Sequence, residues 1–222
     1  MSASLPVRLC LAFSLAFAAA SARASDNQWT SQDYVDLYFR HFNGHVPLPH
    51  RREKAQAALF SHLIDPANIT RIEGAPISNV EKLRQLRIIL AVLGSYRAAY
   101  NVAVIVGEPL AEELTEVQAY TLEVAEHVAN LVRLSPDDHG SPSAWATLVE
   151  GVIESVGDRE RYTPVQSAIM ADAIARHYPA IAAVLPEDER SRLRKQVLKL
   201  FDTSGNADLH EAFMRMKQAV LE

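Results

Sequence analysis

Apolar side chains recur at steps of three and four residues along almost the whole chain, the spacing of one face of an α-helix. No stretch shows a convincing alternation of apolar and polar residues, which would indicate a half-buried β-strand. Turn and cap residues such as Asn43-Gly44, Gly107 and Pro186 interrupt the pattern, and each interruption predicts a helix boundary. The sequence therefore predicts an all-α fold, a compact bundle of about seven to nine helices.

The longest apolar pattern begins at Ser78 and predicts a helical hairpin at the centre of the bundle. Ser78 and Glu81 have the spacing of a capping box, in which each side chain accepts a hydrogen bond from the other residue's backbone N–H. From Ile88 onward this helix is apolar on nearly all sides, so we expect it to be the buried centre of the fold. Gly107 ends it, and a second helix runs to about Leu134. The short connection predicts an antiparallel pair about 40 Å long.

Shorter helices are predicted on both sides of the hairpin. Between Thr30 and Asn43, five apolar side chains fall on one helical face: Tyr34, Val35, Tyr38, Phe39 and Phe42. The other predicted helices are Arg51 to Ile64, a short one after Asp65-Pro66, Trp145 to Gly157, Thr163 to about His177, one opened by Pro186, and a last one from Leu209 to Val220. Ser135 to Pro142 is expected to be a surface loop, and Pro179 to restart the chain as a separate turn.

The N-terminal segment has the order of regions found in a secretory signal peptide. Met1 to Arg8 carries one positive charge, Leu9 to Ala20 is apolar, and Ala22-Arg23-Ala24 is a small-x-small processing site. The apolar run is shorter than the roughly 20 residues that span a membrane. We therefore expect cleavage after Ala24 and export of a single all-α domain, residues 25–222, to the periplasm or the medium.

Charge and cysteine content narrow the classes of partner. Cleavage would remove Arg8 and Arg23, leaving 20 basic and 27 acidic residues and a formal net charge of −7. No basic block remains, which argues against nucleic acid as a partner. The single cysteine, Cys10, lies in the signal peptide, so the mature chain has no thiol chemistry. No second apolar segment is unbroken enough to predict a stable membrane span.

Arg97 and Asn101 are the first candidates for a binding site, because they lie one turn apart in the most apolar predicted helix. Gly94, one turn earlier, leaves room for a ligand, and Arg84 and Arg87 lie on a nearby stripe. A guanidinium removed from water needs an anion or a hydrogen-bonded partner, so this region is a candidate carboxylate- or phosphate-binding site. The alternatives are an ion pair between Arg97 and a glutamate of the bundle, since buried arginines are usually paired within the fold, or a narrow solvated face on this helix.

A loop near the C-terminus partly matches a calcium-binding loop. Oxygen-bearing side chains occupy its first, third, fifth and seventh positions: Asp202, Ser204, Asn206 and Asp208. The glycine required at the sixth position is replaced by Ala207, and the glutamate required at the twelfth by Phe213. We therefore prefer a capped loop in which Asp208 starts the last helix, and keep calcium as the alternative.

Other metal or catalytic signatures are weaker still. His41, His45 and His50 cluster in sequence, but Gly44 and two prolines break the regular spacing that a metal site on a helix would show. The chain contains no H-E-x-x-H, G-x-S-x-G or phosphate-loop motif. We therefore predict no catalytic residue, no metal and no cofactor.

Two functions remain as sequence-based expectations. The first is an exported, non-catalytic helical protein that binds another envelope or secreted protein, as an inhibitor, immunity factor or assembly partner. The second is a small-molecule- or anion-binding, or enzymatic, α-domain that uses Arg97 and Asn101. The second function requires a pocket lined by both side chains and an Arg97 without an internal carboxylate partner. The oligomeric state stays open, because an exposed and a buried apolar stripe look alike in sequence.

Overall fold

The computed structural model describes residues 28–44, 47–134, 142–203 and 209–222. Within these ranges all regular structure is helical, which confirms the all-α prediction. The predicted signal peptide lies outside them. Nine helices follow one another along the described chain: α1 Ser31–Phe42, α2 Lys54–Leu63, α3 Ala67–Gly74, α4 Asn79–Ile105, α5 Ala111–Leu134, α6 Pro142–Gly157, α7 Pro164–Ala182, α8 Glu187–Thr203 and α9 His210–Leu221.

The first three helices begin and end close to their predicted boundaries. Thr30 caps α1 in a reciprocal capping box with Asp33, and Gly44 beyond its end has a φ of 78°, in the left-handed region that favours glycine. α2 starts at Lys54 rather than at Arg51. Arg51 instead donates its backbone N–H to a buried carboxylate oxygen of Glu113 at 2.9 Å, which holds the residues before α2 in a turn.

α4 and α5 form the predicted antiparallel hairpin, joined at Gly107, which has a φ of 92°. The expectation that α4 is the buried centre was wrong. Fourteen of the 24 residues of α5 are buried, because α4 covers one side of it and α7 another. The last turn of α4 is exposed instead, with Val102, Ile105 and Val106 exposed by 61%, 58% and 70%.

The remaining helices build outward from this hairpin. α7 packs between α5 and α9, α6 packs against α7 and α8, and α1 and α3 pack against α4. One core of buried apolar side chains extends through these contacts and includes residues from all nine described helices. Burial of that surface is the main stabilising contribution available to a chain without disulfides.

The cap of α4 differs in one detail from the prediction. The Ser78 hydroxyl accepts the backbone N–H of Glu81 at 3.2 Å, as a helix cap requires. The Glu81 carboxylate, however, accepts hydrogen bonds from Arg84 and Gln85 instead of the Ser78 backbone. A charged guanidinium is the stronger donor, so the reciprocal half of the capping box does not form.

α7 also departs from the prediction. Thr163 and Gln166 form the expected capping box, and Pro164 occupies the first position of the helix. The helix then continues through Pro179 to Ala182 instead of ending near His177. An internal proline removes one backbone hydrogen bond. Tyr178 and Ile181, on either side of it, are both buried in the core, and their packing offsets that loss.

α4 is also the one helix in the described part of the chain whose length and composition would suit a membrane span. A window of 18 residues within it has a mean hydropathy of 1.6, and 33% of that window is buried. The core helix of a bundle meets the same criteria, and α4 packs here on α1, α3 and α5. Its outward side nevertheless presents more apolar surface than a bundle helix usually leaves exposed.

Candidate functional site

Arg97 extends from α4 to the backbone of α6. Its Nη1 donates a hydrogen bond of 2.9 Å to the carbonyl oxygen of Leu148. The guanidinium lies over Gly151, where a methyl group added to the glycine would sit 3.6 Å from Nη1. No carboxylate of a described residue forms an ion pair with it, and burial lowers the pKa of Arg97. The internal glutamate partner considered for Arg97 is therefore not seen in the described chain.

The other three predicted residues do not join Arg97 in one site. Asn101 is half-buried and makes no side-chain hydrogen bond to another described residue. Arg84 is exposed and binds Glu81, one turn earlier, at 2.6 Å. Arg87 is half-buried and has an interaction partner of its own. The proposed binding site at these residues stays a prediction.

Two open cavities lie elsewhere on the bundle, and neither includes Arg97 or Asn101. The first, of about 590 Å³, lies between α7 and α9, with polar lining from Asp172, Arg176, Arg215, Gln218 and Glu222. The second, of about 320 Å³, lies between α5 and α7, with polar lining from Glu116, Tyr120, Glu123, Asp172, Arg176 and His177. Asp172 separates the two and holds Arg215 at 2.8 Å. This ion pair joins α7 and α9 at the surface of the bundle.

A buried histidine lines the second cavity. His177 Nδ1 lies 2.6 Å from Glu126 Oε2, and the histidine side chain is 8% exposed. A carboxylate at this distance orients an imidazole ring. No cluster of three His, Cys, Asp or Glu side chains in the described ranges is arranged to hold a metal ion. We therefore assign the pair to the packing of α7 on α5.

A further surface, which sequence reasoning missed, lies at the C-terminal end of α1. Four rings meet there, and we call them the aromatic surface: Tyr38, Phe39, His41 and Phe42. The ring centroids of Tyr38 and Phe42 are 4.5 Å apart, those of Tyr38 and Phe39 5.5 Å, and those of His41 and Phe42 4.8 Å. Phe39 is 55% exposed and Phe42 is 45% exposed. The predicted apolar face of α1 is thus buried at Tyr34 but exposed to solvent at Phe39 and Phe42, near the end of the helix.

The aromatic surface is supported from below by the core. The Phe42 and His41 centroids lie 6.0 Å and 5.7 Å from that of Tyr96, a fully buried residue of α4. Tyr96 in turn lies 6.4 Å from Tyr100, which packs edge-on against Phe60. Ring pairs at these separations attract one another beyond the area they bury. Phe42 is therefore held in position by Tyr96 beneath it, whereas Phe39 contacts the ring of Tyr38 beside it.

Comparison with protein-family models, curated proteins and solved structures found no match to this chain. The site must therefore be judged on its own geometry.

The calcium candidates and the histidine cluster can be placed only in part. Ser204, Asn206 and Asp208 lie outside the described residues, and the side chain of Asp202 is not described. His45 also lies outside the described residues. His41 contacts Phe42 and Tyr96, and His50 accepts the backbone N–H of Arg52 at 3.2 Å. Calcium binding by the loop stays a prediction.

One sequence signal could have located the aromatic surface. Phe39, His41 and Phe42 lie directly before Asn43-Gly44, where α1 ends. Side chains in the last turn of a helix are covered only if another element continues past that end. Periodicity alone cannot show whether such an element exists, because it reports spacing and not packing.

Proposed function

We propose that the mature chain is an exported, non-catalytic module that binds another protein of the cell envelope through the aromatic surface of α1. The observation that supports this proposal is the pair Phe39 and Phe42. Both rings are about half exposed; Phe42 packs on the buried ring of Tyr96, and Phe39 packs edge-on against Tyr38. Export rests on the predicted signal peptide, Met1 to Ala24.

The energetics of association favour such a surface. Aromatic side chains are enriched among the residues that supply most of the binding energy at protein interfaces. A ring that is already ordered loses little side-chain entropy when a partner covers it. Covering the exposed half of two phenylalanines removes apolar surface from water, which is the dominant favourable term in association. The expected partner therefore presents an apolar patch at least two side chains wide.

Charge indicates which partner would associate fastest. The mature chain has a formal net charge of −7 after the predicted cleavage. A partner of opposite net charge would be attracted over a distance of about 10 Å at moderate salt. We therefore expect a basic partner, whose association rate decreases as the salt concentration rises.

Photo-crosslinking tests the proposal at single-residue resolution. In one protein, a photoreactive phenylalanine analogue replaces Phe39. In a control protein, the same analogue replaces Leu198 of α8, which is similarly exposed at 44%. Both proteins are irradiated in the native envelope extract. We expect one discrete adduct from position 39 and none from position 198, and unlabelled wild-type protein should compete for it.

The double variant Phe39→Ser/Phe42→Ser supplies the matched competitor. It should fail to compete for the adduct, whereas Leu198→Ser should compete as well as wild type. Circular dichroism of both variants checks that they are folded. Equal competition by the double variant, or equal labelling at positions 39 and 198, would overturn the proposal.

Arg97 supports a second candidate function, the binding of a small anion. Its guanidinium is partly removed from water and has one hydrogen bond, to the Leu148 carbonyl, with no ion-pair partner among the described residues. A carboxylate or phosphate ligand would supply the missing counter-charge. Phosphate or citrate should then raise the melting temperature of the wild-type protein but not of Arg97→Met. Arg84→Met should respond as wild type does, because Arg84 lies outside this site. An equal response in Arg97→Met would point to a general salt effect and remove this candidate.

A further inference from the structure

One side of α4 faces away from the bundle along its whole length. At 100° per residue, eight positions fall within about 40° of one line along this helix. We call them the outward face of α4: Val80, Arg84, Arg87, Ala91, Gly94, Ala98, Val102 and Ile105. From Ala91 to Ile105 this face has no charged residue. Arg87 lies on the face one turn before Ala91, and Arg97, beside the face, points sideways to α6.

The outward face is apolar and has no covering element in the described structure. Val80, Val102 and Ile105 are exposed by 66%, 61% and 58%, and Ala91 and Ala98 are also exposed. A methyl group added at Gly94 would meet no atom within 4 Å. The neighbours of α4, namely α1, α3, α5 and, through Arg97, α6, pack elsewhere on the helix. An apolar strip of this kind marks an interaction surface.

We propose that the outward face of α4 binds the same face of a second copy of this chain, with the two α4 helices antiparallel. In this arrangement the two-fold axis crosses the outward face at the level of residue 96 along the helix. It places Gly94 of one copy opposite Ala98 of the other. It also places Ala91 opposite the turn that holds Asn101 and Val102, Arg87 opposite Ile105, and Arg84 at the level of Glu108. The face is thus complementary to itself, as a two-fold interface requires.

Charge complementarity selects this arrangement over a parallel one. Arg84 is exposed near the start of α4, and Glu108 is exposed just beyond its end. Glu108 has no ion pair with another described residue. The Arg84–Glu81 pair lies on the surface, where such pairs contribute at most about 1 kcal/mol, so Arg84 can turn to a new partner. In the antiparallel dimer, Arg84 of each copy lies near Glu108 of the other copy, so one such pair forms at each end of the contact. A parallel dimer would place like charges side by side.

The shape of the face favours another helix. Gly94 and Ala98 sit where the two helices would cross, and their small side chains allow close approach of the backbones. The larger Val102 and Ile105 lie towards the ends of the contact, where the helices diverge. Helix ends of opposite polarity also meet in an antiparallel pair, which is electrostatically favourable.

The area of the outward face limits the expected affinity of the dimer. The face is about 38 Å long at 1.5 Å per residue and about 10 Å wide, so it covers about 400 Å² on each copy. A stable interface usually buries about 800 Å² on each partner. We therefore expect a monomer–dimer equilibrium with a dissociation constant in the micromolar range, visible only as a dependence on concentration.

This interface is independent of the aromatic surface. Tyr96, which supports that surface, lies two residues from Ala98 and therefore about 160° away around the helix. A substitution at Ala98 leaves the aromatic rings in place, and Phe39→Ser leaves the outward face intact. The two proposals can therefore fail separately.

Sedimentation velocity of the mature protein, over a range of concentrations from micromolar to millimolar, tests the dimer. The sedimentation coefficient of wild type should rise with concentration towards that of a dimer. Ala98→Glu places a charge at the centre of the contact and should weaken association by at least about tenfold. Ala58→Glu, at an exposed position of α2, should behave as wild type. A wild-type protein that stays monomeric throughout would overturn the proposal.

A charge exchange tests the antiparallel register. Glu108→Arg places two arginines together at each end and should weaken the dimer, and Arg84→Glu should do the same. The double variant Arg84→Glu/Glu108→Arg should restore association, which a merely unfolded single variant could not explain. No restoration would overturn the register. Binding of monomeric protein to vesicles of phosphatidylethanolamine and phosphatidylglycerol, lost in Ala98→Glu, would assign the face to a lipid surface and overturn the dimer.

Discussion

The side-chain amide of Asn68 donates a hydrogen bond of 3.0 Å to the hydroxyl of Tyr34, and both residues are fully buried. The same amide also donates to the His62 carbonyl at 2.8 Å, and its oxygen accepts the backbone N–H of Trp29 at 2.8 Å. Asn68 therefore joins the start of α1 to the corner between α2 and α3. It also occupies the acceptor position of an N-x-T glycosylation sequon, and its burial makes it inaccessible in the folded protein.

Asn68→Ala should lower the free energy of unfolding by about 2–3 kcal/mol, because the Trp29 N–H loses its acceptor and the His62 carbonyl and the Tyr34 hydroxyl each lose one hydrogen bond. Urea denaturation measures the change. Thr70→Ala, an exposed substitution in the same helix, should stay within about 0.5 kcal/mol of wild type. A loss below about 1 kcal/mol for Asn68→Ala would show that the hydrogen bonds of the Asn68 side chain contribute little to stability.

Two buried tyrosines should respond in opposite directions to removal of the hydroxyl. The Tyr34 hydroxyl donates to the Leu63 carbonyl at 2.7 Å, and burial raises its pKa to about 12. The Tyr96 hydroxyl is buried and has no hydrogen-bond partner among the described residues. Tyr34→Phe should therefore destabilise the protein by about 1–2 kcal/mol, whereas Tyr96→Phe should be neutral or stabilising by up to about 1 kcal/mol. Chemical denaturation of both variants checks the signs, and a clear loss in Tyr96→Phe would contradict this reading.

The sequence predicted most helices because their caps are local. The boxes at Thr30 and Thr163 and the glycine after α4 each depend on residues within one turn of the helix end. Pro179 was misjudged because its cost is offset by distant core contacts of Tyr178 and Ile181, which no local pattern records. Local chemistry thus predicts helix boundaries at caps and glycines, but not where core packing carries a helix through a proline.

The candidate sites depend on contacts between residues that are far apart in sequence. Arg97 and its acceptor Leu148 are 51 residues apart, so the sequence showed an arginine in an apolar helix but not what it binds. The apolar faces of α1 and α4 were readily visible in sequence. The sequence did not show which parts of these faces are covered, since that depends on where α2, α3 and α5 pack. The exposed rings at Phe39 and Phe42 and the outward face of α4 required the structure.

Two glycines should respond oppositely to substitution by alanine. Gly94 is in the interior of α4 with open space beside it, so Gly94→Ala should raise the free energy of unfolding by about 0.5–1 kcal/mol through helix propensity. Gly107 has a φ of 92°, so Gly107→Ala should lower it by about 1–2 kcal/mol. Urea denaturation at low micromolar protein concentration keeps self-association out of the comparison. Equal effects at both positions would contradict this assignment.

Glu81 should contribute to stability at neutral pH and lose that contribution in acid. Hydrogen bonds from Arg84 and Gln85 lower its pKa from 4.5 to about 2. The unfolded chain therefore takes up a proton near pH 4.5 while the folded chain does not. The contribution is complete above pH 4.5 and is lost as the pH falls towards 2. Its side chain is 33% exposed, and solvent screening limits the contribution to at most about 1 kcal/mol.

The variant Glu81→Gln tests this linkage. The variant's free energy of unfolding should differ most from that of wild type at pH 7. The difference should shrink at pH 3, because wild type loses the contribution of the ionised Glu81 carboxylate there and the variant has no such carboxylate. Glu154→Gln is the control, since Glu154 is exposed and has no ion pair with another described residue. Its difference should be small at both pH values. A Glu81→Gln difference that is the same at pH 7 and pH 3 would mean that the bonds from Arg84 and Gln85 do not hold the carboxylate ionised in the folded chain.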